Sequence, residues 1–170
     1  MMYKTHIVFA IFLYLLLTSI FHIPKNFYVA LIVALGSLLP DIDSGKSYIN
    51  RKMKFGKLIA YASKHRGFWH SVFGLLFIFI LSLILFSLIK KPFFSLYLSL
   101  GYFSHLIADS LTLTGIKPLW KLSKFEIKGK IKTSGFFEYI LFFLLLISIA
   151  YLLFPSQIQT FTSYVIKIFR

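Results

Sequence analysis

The chain has 170 residues, of which 58% are hydrophobic, and its mean hydropathy is +0.82. A soluble domain of this length has too little interior to bury so much apolar surface, which excludes a soluble enzyme domain as well as disordered and collagen-like chains. Cysteine is absent, and 19 lysines and arginines against 5 acidic residues give a net charge of +14; this excludes disulfides, thiolate metal sites and a cysteine nucleophile.

Five apolar stretches predict an all-α fold, an integral membrane bundle of about five transmembrane helices. In chain order they are residues 6–23, 27–40 (short), 68–89, 92–115 and 136–154. Lys4 precedes the first stretch as in a signal peptide, but no A-x-A-like cleavage site follows, so we interpret it as an uncleaved helix. We expect residues 1–154 to form one transmembrane domain and residues 155–170 an amphipathic, interfacial tail.

Positive charge is divided unevenly between the two sides of the membrane that five spans define. Fourteen of the 19 lysines and arginines lie before the first span or in the loops 41–67 and 116–135. The positive-inside rule therefore predicts a multi-pass protein of the cell (inner) membrane, with its N-terminus and both long loops in the cytoplasm. We expect membrane lipids as partners and no nucleic acid, because no motif that reads DNA or RNA accompanies the charge. The oligomeric state stays open.

Histidines and acidic residues gather at the cytoplasmic face. Of the five histidines and five acidic residues, His22 falls at the opposite end of a span and Glu126 in a loop. The remaining eight are His6, Asp41, Asp43, His65, His70, His105, Asp109 and Glu138. Ionisable groups at membrane depth are costly and indicate function, so this clustering predicts a functional site.

The spacing of these residues favours a metal site. His105 and Asp109 are four residues apart and therefore share one face of a helix. His65 and His70 flank the start of the third span. Pro40 predicts an extended exit from the second span, which would put two carboxylates, at positions 41 and 43, on one side of the chain.

Histidine and carboxylate ligands without thiolate suit a divalent metal, zinc in the first place and manganese as the alternative. One ion needs three or four protein ligands, and seven candidates would suffice for one or two ions. The candidate ligands are His6, Asp41, Asp43, His65, His70, His105 and Asp109. A polar network that packs the bundle, or a proton path, is the competing interpretation of the same residues.

Other residues near these ligands are candidates for catalysis and substrate binding. Arg66 can bind a phosphate oxygen in a bidentate manner and stabilise developing negative charge, or it is simply a topogenic charge. Lys46 and Ser71 are further candidates for substrate binding. Asp43 is a candidate general base, and Glu138 is either part of the catalytic site or a favourable carboxylate at a helix N-terminus.

A series of short motifs runs from the first helix to the last. In chain order they are His6, LLPDIDSGKS at 38–47, HRGFWHS at 65–71, GYFSHLIAD at 101–109, PLW at 118–120 and TSGFFE at 133–138. The order of these motifs resembles the YdjM-type family of membrane-bound, metal-dependent hydrolases. Trp69 departs from the family's usual threonine, and Thr133-Ser134-Gly135 departs from its Thr-Gly-Ser order. The resemblance implies a distant kinship with zinc-dependent phospholipase C and P1-type nucleases, and hence hydrolysis of a phosphoester.

Together these observations predict a metal-dependent hydrolase of a lipid or lipid-linked phosphoester at the cytoplasmic face, acting through metal-activated water. The alternatives are a metal-ion or proton transporter and a non-catalytic membrane scaffold. The sequence also resembles membrane phosphatidic-acid phosphatases in its His105-x-x-x-Asp109 motif, although Leu98 and Ser99 replace the Ser-Arg pair of those enzymes.

Overall fold

The computed structural model describes residues 1–43 and 67–155, without the side chains of residues 42 and 43. Within these residues the chain is all α, with no β-strand and two isolated β-bridges. Its α-helices are α1 (Tyr3–Ile20), α2 (Phe27–Gly36), α3 (Val72–Leu88), α4 (Phe94–Ser110) and α5 (Phe136–Leu153). Three short 3-10 turns accompany them, at Leu39–Asp43, Phe68–His70 and Trp120–Leu122. The predicted all-α class with five helices is confirmed, and the predicted tail lies outside the described residues.

Helix length separates the five helices into two groups. α1 and α5 have 18 residues each, or about 27 Å at the rise of an α-helix, which approaches the thickness of the hydrocarbon core. By length and composition alone, these two are the described helices that can cross a membrane. α2 has 10 residues, and α3 and α4 have 17 each.

The exit from α2 differs from the prediction. The expected extended segment after Pro40 is wrong, because residues Leu39–Asp43 form a 3-10 turn. The fixed φ of proline lies within the range that a 3-10 turn requires, so Pro40 fits inside the turn. A second 3-10 turn, Phe68–His70, likewise precedes α3, which begins later than expected, at Val72. The two turns contact each other.

α4 lies at the centre of the described helices, packing against α1, α2 and α3, while α5 packs on α1. Ala10, Tyr14 and Val33 form part of a buried apolar cluster between α1 and α2. Many large apolar side chains of α3 and α5 are exposed, among them Ile84 and Ile147. Such outward apolar surface is what lipid chains cover in a membrane protein.

The segment between α4 and α5 folds back on itself. Ile116 and Ile127 exchange two backbone hydrogen bonds of 3.0 Å, and the Leu113 amide donates to the Ile131 carbonyl. The Val72 amide, at the start of α3, donates to the Pro118 carbonyl at 2.9 Å. These bonds hold the loop against the end of the bundle that carries the polar residues.

Candidate metal centre

Five polar side chains from separate parts of the chain meet at one end of the bundle. The first turn of α1 supplies His6, the two 3-10 turns supply Asp41 and His70, and the second half of α4 supplies His105 and Asp109. Four of them are buried, whereas the side chain of Asp41 is 24% exposed. The structure therefore brings together five of the seven residues that the sequence proposes as metal ligands.

Five separations between four ligand atoms of this cluster are close to those around one tetrahedral ion. His105 Nε2 lies 3.4 Å from His70 Nε2, 3.7 Å from Asp109 Oδ2 and 3.9 Å from Asp41 Oδ1. His70 Nε2 lies 3.6 Å from Asp109 Oδ2 and 3.7 Å from Asp41 Oδ1. Ligand atoms about 2.0–2.2 Å from a tetrahedral zinc are about 3.3–3.6 Å apart. These separations are longer than normal N–H···O hydrogen bonds, and they are compatible with an ion bound between the four side chains.

A backbone carbonyl fixes which nitrogen of His105 faces this cluster. The ring Nδ1 lies 2.7 Å from the carbonyl oxygen of Ser37. A carbonyl oxygen accepts hydrogen bonds and cannot donate one, so Nδ1 must carry the proton. In the neutral imidazole, Nε2 then presents its lone pair to His70, Asp41 and Asp109. Such a hydrogen bond to the far nitrogen is the usual support of a metal-binding histidine.

Two glycines bring that carbonyl within reach. A Cβ at Gly36 would lie 2.0 Å from the Leu98 carbonyl oxygen, and a Cβ at Gly101 would lie 2.0 Å from the Val33 carbonyl oxygen. The backbones of α2 and α4 are therefore in direct contact, as small residues permit between membrane helices. Gly36 directly precedes Ser37, and Gly101 lies one turn before His105, so the close contact sets the Ser37–His105 hydrogen bond.

The second oxygen of Asp109 has different partners. Asp109 Oδ1 lies 3.4 Å from His6 Nε2 and 2.7 Å from the amino nitrogen of Met1. The His6 ring stacks on the His105 ring, with centroids 3.7 Å apart. His6, His105 and Asp109 thus form a second group of compact ligand atoms that overlaps the first. The two groups share His105, whose Nε2 offers one lone pair, so only one group at a time can use it.

Almost the whole chain matches one protein family. The family model described as "YdjM inner membrane protein" matches residues 1–169, which include every residue of this centre. The chain belongs to the YdjM inner membrane protein family. This confirms the family resemblance of the motifs and the membrane location.

Two curated relatives illustrate the YdjM match. The inner membrane protein YdjM of Escherichia coli (strain K12) is 42% identical over 89 residues, which cover 49% of this chain and 44% of the relative. The uncharacterized protein YvsG of Bacillus subtilis (strain 168) is 36% identical over 107 residues, 62% of this chain and 65% of the relative. The chain thus spans less than half of the length of the first relative. No solved structure matches.

Two further predicted site residues have structural contacts in this YdjM family member. The Ser71 hydroxyl donates to the Phe68 carbonyl at 2.6 Å and accepts from the Gly74 amide, so it caps α3. The carboxylate of Glu138 is buried and accepts from the amides of Met2 and Ser134, at 2.7 and 2.6 Å. Their substrate-binding and catalytic roles stay predictions. The predicted residues Lys46, His65 and Arg66, and the side chain of Asp43, lie outside the described residues.

Proposed function

We propose that this YdjM family member is a membrane-bound hydrolase that uses one divalent metal ion to cleave a phosphoester at the cytoplasmic face. The observation that carries the proposal is that Nε2 of His70 and Nε2 of His105 lie 3.4 Å apart, and that each lies within 3.9 Å of a carboxylate oxygen of both Asp41 and Asp109. Metal-dependent hydrolases commonly bind their ion with histidine and carboxylate ligands and keep a position for water or substrate. Here water or substrate would be a fifth ligand or would replace the partly exposed Asp41.

The chemistry of the donors points to zinc, with manganese as the alternative. Two imidazole nitrogens and two carboxylate oxygens, without thiolate, are ligands that both ions accept. Two carboxylates would neutralise the charge of a divalent ion at membrane depth. When bound, such an ion supplies a water of lowered pKa as the nucleophile.

Water and substrate would reach the cluster from one side only. His70, His105 and Asp109 are buried, and the partly exposed Asp41 marks the side from which water and substrate can approach. Arg66 is proposed to bind the phosphate in a bidentate manner, with Lys46 as a further contact. Ser71 is buried and caps α3, so we propose that it positions the start of that helix. Asp43 is proposed as a general base, and Glu138 as a residue that positions the segment before α5.

We further propose that all five helices cross or enter the membrane, although α1 and α5 alone meet the length criterion. The exposed apolar surface of α3 supports this, since it has no other cover among the described residues. The cluster would then lie near the headgroups of the cytoplasmic leaflet. A lipid or lipid-linked phosphate is the natural substrate at that depth.

The test is phosphoester turnover by the purified full-length protein in detergent. The protein is stripped by a chelator, reloaded with zinc or manganese, and assayed on phosphatidic acid, phosphatidylglycerol and nitrophenyl phosphate esters. We expect turnover that requires metal and falls at least about 10³-fold in Asp109→Asn. A control variant, Glu126→Gln, removes a carboxylate that lies outside the centre and should keep its activity. Metal-loaded protein that cleaves none of these esters would contradict the proposal.

A further inference from the structure

The loop between α4 and α5 forms a basic cleft next to the metal centre. The cleft has a volume of about 750 Å³. Its charged and aromatic lining residues are Lys117, Trp120, Lys121, Lys124, Glu126 and Lys128. Gly67 also lines it, and the Gly67 carbonyl accepts from the His70 amide at 3.3 Å. One wall of the cleft is therefore bonded directly to the turn that carries a candidate metal ligand.

The charges of the cleft do not balance. Glu126 pairs with Lys117 at 2.6 Å and with Lys128. These two ammonium groups lower the pKa of Glu126 to about 2, so its carboxylate is ionised at neutral pH. Lys121 lies 4.9 Å from the centre of the Trp120 ring, and neither Lys121 nor Lys124 forms an ion pair with a described residue. Four lysines against one carboxylate leave an excess of positive charge that favours an anion.

The surroundings of the cleft are apolar. Leu122 follows Lys121 and Phe125 follows Lys124, and these two apolar side chains are 76% and 58% exposed. Ile116, which lines the cleft, also lines an apolar pocket of about 200 Å³ to which α3 and α4 contribute. Exposed apolar side chains among lysines are typical of segments that insert at the headgroup level of a membrane.

From this arrangement we infer that the cleft is a binding site for the phosphate of an anionic phospholipid, held by Lys121 and Lys124 with its acyl chains toward the exposed apolar side chains. A soluble phosphate makes no contact with the apolar side chains around the cleft. A membrane lipid can neutralise the positive charge with its phosphate and cover the apolar side chains with its acyl chains. The inference goes beyond the proposed function, because it requires neither a metal ion nor turnover.

Tryptophan fluorescence can report on the cleft directly. The chain has two tryptophans, and Trp69→Phe leaves Trp120, whose ring lines the cleft, as the sole reporter. The full-length Trp69→Phe protein in detergent is titrated with dioctanoyl phosphatidylglycerol, dioctanoyl phosphatidylcholine and inorganic phosphate. We expect a saturable change with phosphatidylglycerol at concentrations at least about tenfold below those at which the zwitterionic lipid acts.

Matched lysine variants distinguish lipid binding in the cleft from a general effect of positive charge. Lys121→Gln with Lys124→Gln should weaken the binding of phosphatidylglycerol about 30-fold, the contribution of two lysines near an anionic lipid. Lys130→Gln with Lys132→Gln removes the same charge from the same loop outside the cleft, and it should change affinity less than about threefold. Equal losses in both double variants would overturn the inference.

Two other outcomes also decide the question. Inorganic phosphate that binds as tightly as phosphatidylglycerol would show a free-phosphate site and overturn the lipid assignment. The absence of any saturable signal would overturn binding altogether. Repeating the titration on Asp109→Asn separates this inference from the proposed function, since lipid binding should persist when the metal is lost.

Discussion

At the scale of single residues, His105 shows how one side chain becomes committed to one role. Its Nδ1 donates to the Ser37 carbonyl, and its Nε2 faces two carboxylates and a second imidazole. The i, i+4 spacing of His105 and Asp109 already predicted a shared face. The Ser37 carbonyl could not be predicted, because a backbone acceptor leaves no signature in the identity of the side chain.

A substitution of Ser71 distinguishes two roles for this residue, namely capping α3 and contacting the substrate. Ser71→Ala removes the N-cap of α3 and should lower the free energy of unfolding by about 1 kcal/mol. Thermal unfolding in detergent measures this, and the metal content should stay unchanged. An unchanged melting temperature together with a raised KM would instead assign Ser71 to the substrate.

Glu138 is the corresponding test for a buried carboxylate. Glu138→Gln replaces one of two acceptor oxygens with an NH₂ group, which then faces the amide of Met2 or Ser134. We expect a loss of about 1–3 kcal/mol in stability, the penalty of a buried donor without an acceptor. The rate per folded molecule should change little. If stability is unchanged and turnover is abolished, Glu138 is catalytic.

At the scale of elements, the contact between α2 and α4 determines the position of His105 within the candidate metal centre. Gly36 and Gly101 lie within apolar stretches and are the sequence signal for this contact, since glycines allow helix backbones to approach closely. Pro40 taken alone favours an extended segment, but a rule for single residues does not include the contact between the two 3-10 turns.

Gly101→Ala should separate these helices. The added Cβ would overlap the Val33 carbonyl, so α2 must shift and the Ser37–His105 bond must lengthen. We expect a loss of about 1–3 kcal/mol or more in stability and a weaker affinity for metal, measured by competition with a chelating dye. The control Leu96→Ala alters an exposed position on the same helix. Equal metal affinity in both variants would contradict the proposed link.

At the scale of the whole molecule, charge and hydropathy predicted five helices and the grouping of polar residues at one end. They did not predict where the helices stop. The polar ends of the second and third apolar stretches form 3-10 turns, which shorten α2 to 10 residues and delay α3. Hydropathy measures transfer into lipid and is insensitive to whether a polar end forms an α-helix or a tighter turn.

Topology can be tested by labelling, because the chain has no cysteine. Five spans place Lys130 in the cytoplasm and Lys91 on the opposite side. In intact spheroplasts, a membrane-impermeant maleimide should label Lys91→Cys, and it should label Lys130→Cys only after lysis. If Lys91→Cys reacts only after lysis, or not at all, α3 and α4 do not both cross the membrane.

Asp41, His70, His105 and Asp109 are proposed to bind one metal ion, and elemental mass spectrometry of the purified protein tests this most directly. We predict about one equivalent of zinc or manganese, which is lost in Asp109→Ala and in Asp41→Ala. The metal should be retained in His22→Asn, which removes a histidine beyond the far end of α1. Native protein that binds no metal after reconstitution, or Asp109→Ala and Asp41→Ala variants that keep their metal, would contradict the proposed metal centre.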